Sequence, residues 1–303
     1  MTLRVGAVDL GTNSTRLLVA DVEDGALHEV ARSLQITRLG EQVDTRRRLL
    51  PTAVARVRNV LTDYRRELDA LGADRTLAVA TSAVRDAENG EAFLGEVEWS
   101  YGFSTRLLSG DEEASLTYRG VTAGRRIDPD TVIVDIGGGS TELILADRHV
   151  SIDVGCVRLT ERFGEDADAA GRYVDVALPD WTVSDAIGVA GTVTSLAALD
   201  LGLVDYDAER VHGHVLTAAA VGEQLDRLAS LPLEERRKLP GLEPERAPVI
   251  VAGAAILRAA LRRYRLRSIE ASEHDLLHGA ALAAAELPAH DEDAVPPSAY
   301  TCC

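Results

Sequence analysis

Lysine is nearly absent from this 303-residue chain: Lys238 stands alone among 32 basic side chains, and arginine supplies the rest. Arginine's planar fork suits phosphate oxygens, but genomic base composition gives the same bias, so the bias selects neither reading. Positive charge as a whole is in deficit. Thirty-two bases against 49 acids leave a formal charge of −17. That balance speaks against a nucleic-acid binder and against docking on an anionic membrane. Cysteine is scarce, and Cys156, Cys302 and Cys303 give neither a disulfide framework nor zinc spacing. A reducing cytoplasm is the expected home. The apolar stretch Val249–Leu257 falls far short of the roughly 20 residues of a membrane span. The N-terminal apolar run is broken by Asp9 and lacks a cleavage pattern, so no signal peptide is expected.

What is present fits a soluble α/β chain, with 46% apolar and 27% charged residues. At roughly 150 residues per domain the length suits two domains. Arg4–Gly11 reads as a strand and a tight turn, followed by strands over Arg16–Asp21 and Ala26–Leu34. Pro51–Leu71 has helical spacing, with Val54, Val57, Leu61, Tyr64, Leu68 and Leu71 on one face and Gly72 as the stop. Thr76–Ala80 is a strand, and Ser109–Glu113 opens a helix through Tyr118. Turn residues over Gly120–Asp130 mark a boundary, after which Thr131–Asp135 is again a buried strand. A strand over Val183–Ala190, a helix over Ala247–Arg263, a strand over Ser268–Ala271 and a helix over Glu273–Glu286, opened by Ser272, complete the pattern. We expect domains over 1–122 and 123–287, the helix near 273–286 packing back onto the first, and a loose tail over 288–303.

The pattern restarts within the chain. Val8–Ala20 laid on Val134–Ala146 matches at seven of 13 positions with a constant offset of 126. Each copy is strand, Asp, glycine turn, hydroxyl pair, strand. Two related α/β units predict a bilobal enzyme with a ligand cleft between the lobes. A turn of Gly11-Thr12-Asn13-Ser14, or of Gly137-Gly138-Gly139-Ser140, exposes backbone N–H groups that cradle anions, phosphate above all. The hydroxyls of Thr12, Ser14, Ser140 and Thr141 add donors. Asp9 and Asp135 would repel phosphate directly, and make sense with a divalent cation between them. Neither turn has Walker or dinucleotide-binding spacing.

Four motifs occur in order: Asp9-Leu-Gly-Thr-Asn-Ser-Thr-Arg16, Ala80-Thr-Ser-Ala-Val-Arg-Asp-Ala87, Ser109-Gly-Asp-Glu-Glu-Ala114 and Asp135-Ile-Gly-Gly-Gly-Ser-Thr-Glu142. With Val154–Glu161, Ala190–Ser195 and His212–Thr217, the set resembles the exopolyphosphatase/guanosine pentaphosphate phosphohydrolase family from about residue 4 to about residue 286. The resemblance implies an α/β fold of two ribonuclease H-like domains, of the actin-like ATPase superfamily, with a cleft between them. It implies that Glu113 orients or deprotonates the attacking water and that Glu142 is the second catalytic carboxylate. It further implies metal and phosphate roles for Asp135 and Gly137, and phosphate-facing roles for Asn13 and Arg85, with Arg16 a weaker candidate. The expected cation is Mg²⁺ or Mn²⁺, held by Asp9, Asp135 and Glu142. The expected phosphate contacts are Gly11 to Ser14, Arg85, and Gly137 to Thr141.

The implied activity is release of terminal phosphate from inorganic polyphosphate of short to medium length, by a homodimer. Guanosine pentaphosphate is the alternative substrate, and an actin-like ATPase or kinase a more distant one. A non-catalytic sensor is disfavoured by the intact carboxylates. The chain resembles the short, two-domain members of the family and is expected to lack the C-terminal helical domain of longer relatives; it departs from the family pattern in having Leu277-His278-Gly279 where an Arg and an acid usually precede the glycine. Other features have ordinary readings: Cys156 as a core thiol, Arg46–Arg48 as a solvated run, and His212 and His214 on one face of a strand without a third metal ligand. His290-Asp291 reads as tail.

Overall fold

The computed structural model describes residues 2–288. One sheet is built from β1 (Leu3–Leu10), β2 (Thr15–Glu23), β3 (Ala26–Gln35), β4 (Arg75–Ala80) and β5 (Ser104–Leu107), in the order β3-β2-β1-β4-β5. The other contains β6 (Thr131–Ile136), β7 (Thr141–Ile144), β8 (His149–Ile152), β9 (Asp185–Val189), β10 (Val215–Thr217) and β11 (Ser268–Ala271), in the order β10-β11-β9-β6-β7-β8. Read from β8, the second sheet repeats the first and adds β10 at its far edge. The pairing senses repeat too. In each unit the first three strands are antiparallel, and the fourth lies parallel to the first. Even the register is the same: Asp9 pairs with Arg16 and Val79, and Asp135 with Glu142 and Val189. The repeat seen at offset 126 is thus a duplicated α/β fold.

The apolar run of β1 is continuous because both of its faces are covered. Val8 and Leu10 pack with Val57, Leu61 and Leu68 of the helix Pro51–Leu71. Val5 and Ala7 pack on the other face, against the helix Leu276–Ala284 and Leu116. The helix Pro51–Leu71 has Pro at its first position and ends on Gly72 at φ 70, where glycine costs little. Its spacing is as expected, save that Leu71 is only half-buried.

Three elements differ from expectation. The last helix spans Leu276–Ala284, not 273–286. Ser272 does not open it, because the Ser272 hydroxyl is engaged with His274, and Asp275 caps instead by accepting from the Leu277 N–H at 2.9 Å. The helix before it begins at Ile250, after a single 3₁₀ turn over Pro244–Arg246. His212 and His214 lie in a turn, since Gly213 adopts φ 79 and breaks the extended run. Arg46–Arg48 are exposed as expected, and Cys156 is buried. Cys302, Cys303, His290 and nearly all of the expected tail fall outside the described residues. Among the described residues, no helix is long and apolar enough to cross a membrane.

Candidate active site

Gly11–Ser14 joins β1 to β2, and Gly137–Ser140 joins β6 to β7. The same bond closes both turns: Gly11 N–H to Ser14 O, and Gly137 N–H to Ser140 O, each 3.0 Å. The two turns touch. A Cβ on Gly138 would lie 2.8 Å from Thr12 Cβ, and one on Gly139 would lie 2.4 Å from Ser82 Oγ. Only glycine permits this approach. The Gly137 and Gly138 carbonyls accept from Cys156 N–H (3.0 Å) and Val157 N–H (2.8 Å) of the helix Cys156–Phe163. Carbonyl and amide of a trans peptide point opposite ways, so the Gly138 and Gly139 N–H groups face away from that helix. Like those of Thr12 and Asn13, they have no acceptor among the described residues. The result is a pair of facing N–H nests.

Gly155 sits directly beneath, where a Cβ would come within 2.3 Å of the Gly138 carbonyl. Gly155→Ala is therefore expected to destabilise the fold by about 3 kcal/mol, the upper end of overpacking costs. Urea unfolding measures this, and an unchanged midpoint would refute the packing argument.

The turns border a cleft of about 540 Å³ that also takes in Asp9, Glu113, Asp135 and Arg16. Glu113 lies in the first turn of the helix Gly110–Val121, which Ser109 and Glu112 cap reciprocally. Arg85, at the end of the short helix Ser82–Arg85, donates to Glu113 Oε2 at 3.2 Å and to the Leu108 carbonyl at 2.7 Å. Thr117 donates to Asp135 at 3.2 Å, and Ser151 to Glu142 at 2.7 Å. Asp9, Glu113, Asp135 and Glu142 are all buried. Burial pushes Glu113 and Asp135 well above the usual carboxylate range, and their proximity to Glu142 pushes them further. Glu142 and Asp9 are raised by burial as well.

Arg16 bridges Asp9 (2.9 Å) and Asp275. For Asp275 burial works upward, but Arg16 and His278 outweigh it and hold this carboxyl below its usual range. Four buried atoms on residues lining the cleft have no hydrogen-bond partner among the described residues: the acceptor Asp9 Oδ1, and the donors Asn13 Nδ2, Ser82 Oγ and Arg32 Nε. Buried polar groups are normally paired, so this set suits a ligand that offers both a cation and anionic oxygens.

Not every candidate reaches the cleft. Thr141 is buried, and its hydroxyl donates to the Val154 carbonyl, so it is no phosphate donor. Neither Arg85 nor Glu142 lines the cleft: Arg85 touches it through Glu113, and Glu142 is bonded to Ser151, which is not in the lining either. Asp9, Asp135 and Glu142 do not form a three-carboxylate cage, and among the described residues no group of three or more His, Cys, Asp or Glu does. The reason is local: Asp9 is turned to Arg16, and Glu142 to Ser151. The two histidines also diverge. His212 stacks on His274 at 4.7 Å between ring centroids, whereas His214 pairs with Asp200 at 2.7 Å. Cys156 lines the cleft with its thiol raised by burial.

Sequence reasoning missed Asp275 and Arg246. Asp275 lies 259 residues from its partner Arg16, beyond any spacing pattern. Arg246 is 8% exposed, lines the cleft and has no ion-pair partner among the described residues. Burial lowers its pKa. In the sequence it stands beside Glu243, Pro244 and Glu245, with no motif to single it out.

Comparison with known proteins shows what the chain is similar to. Residues 18–286 match the model of the Ppx/GppA phosphatase family. The sequence is 38% identical to Exopolyphosphatase 2 of Mycobacterium tuberculosis, over 93% of this chain and 98% of that protein. It is 30% identical to a guanosine-5'-triphosphate,3'-diphosphate pyrophosphatase of Aeromonas salmonicida, over 87% of this chain and 55% of that protein. The crystal structure of the Aquifex aeolicus member of the Ppx/GppA family superposes with a TM-score of 0.78 at 30% identity, covering 93% of this chain and 97% of that one.

Proposed function

The chain belongs to the Ppx/GppA phosphatase family and is a phosphoanhydride hydrolase, and from that premise we propose that it is an exopolyphosphatase. It removes the terminal phosphate of inorganic polyphosphate of short to medium length. One juxtaposition supports this reading most: two N–H nests face each other beside the buried Glu113. The nests hold the terminal phosphoryl group, with Asn13 Nδ2 and Ser82 Oγ as further donors. Arg246 offers a cation to the remaining chain. Glu113 takes the proton of the attacking water, and Arg85 fixes the orientation of that carboxylate. Glu142 lies behind it as the second carboxylate.

Asp9 Oδ1, an acceptor without a partner, and Asp135 are the groups that would hold a divalent cation. Bound Mg²⁺ or Mn²⁺ would neutralise charge on the transferring group. The units 1–122 and 123–287 flank the cleft, and the working form is a cytoplasmic homodimer.

A second substrate is favoured by one observation. Leu34, Val204 and Tyr206 line the cleft and are respectively 40%, 75% and 49% exposed. Such apolar edges suit a nucleobase, as in guanosine pentaphosphate. Phosphate release from each pure substrate, compared as kcat/KM, decides between them. The expected result is a preference for polyphosphate; a preference for the nucleotide would sink the first reading. Tight, adenine-dependent turnover of ATP would revive the actin-like ATPase.

A further inference from the structure

We propose that Arg158 is a positioning residue for the reaction: it pins the second glycine turn to the Arg85 helix. The inference rests on the reading above for the purpose of that turn. Arg158 lies in the first turn of the helix Cys156–Phe163, and its side chain is only 13% exposed. Nε donates to the Gly139 carbonyl at 2.8 Å, Nη2 to Asp86 at 2.6 Å, and Nη1 to Asp44. Gly139 belongs to the second sheet's turn, while Asp44 and Asp86 lie on the side of the first sheet. Asp86 directly follows Arg85, the residue that holds Glu113. A single guanidinium thus ties the phosphate cradle to the group that orients the proposed base.

The peptide planes explain why this matters. Cys156 and Val157 fix the carbonyls of Gly137 and Gly138, and Arg158 fixes that of Gly139. Three consecutive carbonyls are held on one side, so the N–H groups of Gly138, Gly139 and Ser140 are held on the other. Two of those carbonyls are secured by backbone and cannot be lost by substitution. The third depends on a side chain anchored in the opposite lobe. Lysine cannot replace it, because a single ammonium does not present the fork needed to reach a carbonyl and two carboxylates at once. A second link from the same helix, Glu161 accepting from the Gln42 N–H at 2.8 Å, crosses the lobes but touches neither turn nor Arg85.

The test uses the full chain with Mg²⁺ and polyphosphate, and the variants R158K, R158Q, D86N and R158Q/D86N. For R158K and R158Q we expect kcat to fall about tenfold to a hundredfold with KM within about threefold, as misplacement of a preorganised site does. D86N should act in the same direction. The double variant should be no worse than R158Q alone, since both break one link. Hydrogen exchange on the metal-free, substrate-free protein is the readout independent of activity. Peptides covering 137–142 and 82–88 should exchange about tenfold faster in R158Q. If the wild type fails to cleave polyphosphate, the functional reading falls and the exchange result alone decides this one. If R158Q does not fold, R158K and D86N decide it. The proposal is overturned by kcat within about twofold of wild type. It is equally overturned by a rise in KM alone, by additive effects in the double variant, or by unchanged exchange of both peptides.

Discussion

Glu113→Gln lowers turnover by at least about a hundredfold, the low end of general-base effects. The substitution keeps shape and removes only the ability to take a proton from water. Its surroundings are set for that role: the carboxylate is buried in the first turn of a capped helix, and Arg85 meets it at 3.2 Å. Binding of a phosphate chain survives, because the nests are backbone groups on other elements. The same change removes one of several crowded buried charges. The metal-free protein should therefore melt no lower than wild type, and above it at neutral pH. Steady-state kinetics together with a thermal melt test both halves. Undiminished turnover would reject the assignment of the base, and a large loss of stability would reject the electrostatic account.

Removing divalent cations should cost about a thousandfold in turnover, the scale on which losing a charge-stabilising partner is felt. The pH dependence of stability gives an independent check. Glu113, Asp135, Glu142 and Asp9 have folded-state pKa values raised above their unfolded ones. The folded chain therefore binds protons more tightly at these sites. Their stabilising contribution is complete below the ordinary carboxylate range and is lost as pH rises through the raised values. Asp275 has the opposite sign: its contribution is lost only as pH falls below that range. Without metal, Tm should fall as pH climbs above the ordinary carboxylate range. Added Mg²⁺ should restore it, more at the higher pH, because a cation displaces those protons. A Mg²⁺ effect that shrinks with rising pH would contradict the buried-carboxylate picture.

The site was legible in the sequence wherever its parts are local. Both turns and both strand-end aspartates were readable because a hairpin keeps strand, turn and strand within 13 residues, and the second copy repeated the first; Glu113 came from the resemblance carried by Ser109–Ala114. The helix Pro51–Leu71 was readable from its period and its terminal glycine. What failed was competition between nearby alternatives. Ser272 and Asp275 could each cap the last helix, and the outcome turned on one hydroxyl bonding to His274. The pattern on either side of Gly213 read as extended, yet its positive φ bends the chain and parts His212 from His214. What could not be read was contact across the lobes. Asp275 on Arg16, and Arg246 at the cleft, depend on how distant elements pack. Thr141 carried the right hydroxyl in the right motif, but strand alternation turned it to Val154.

One detail of the shared register bears on direction. Position for position, Arg16 in the first unit corresponds to Glu142 in the second, each opposite the strand-end aspartate. Two identical cradles could not distinguish the end of a chain from its continuation. The cation opposite Asp9 and the anion opposite Asp135 break that symmetry. On the reading offered here, one cradle is electrically settled without substrate and the other carries surplus negative charge until a cation arrives. A polymer bound across both therefore gives its terminal phosphate and the next one unlike surroundings. A single cross-strand exchange after duplication is enough to give such a site its polarity.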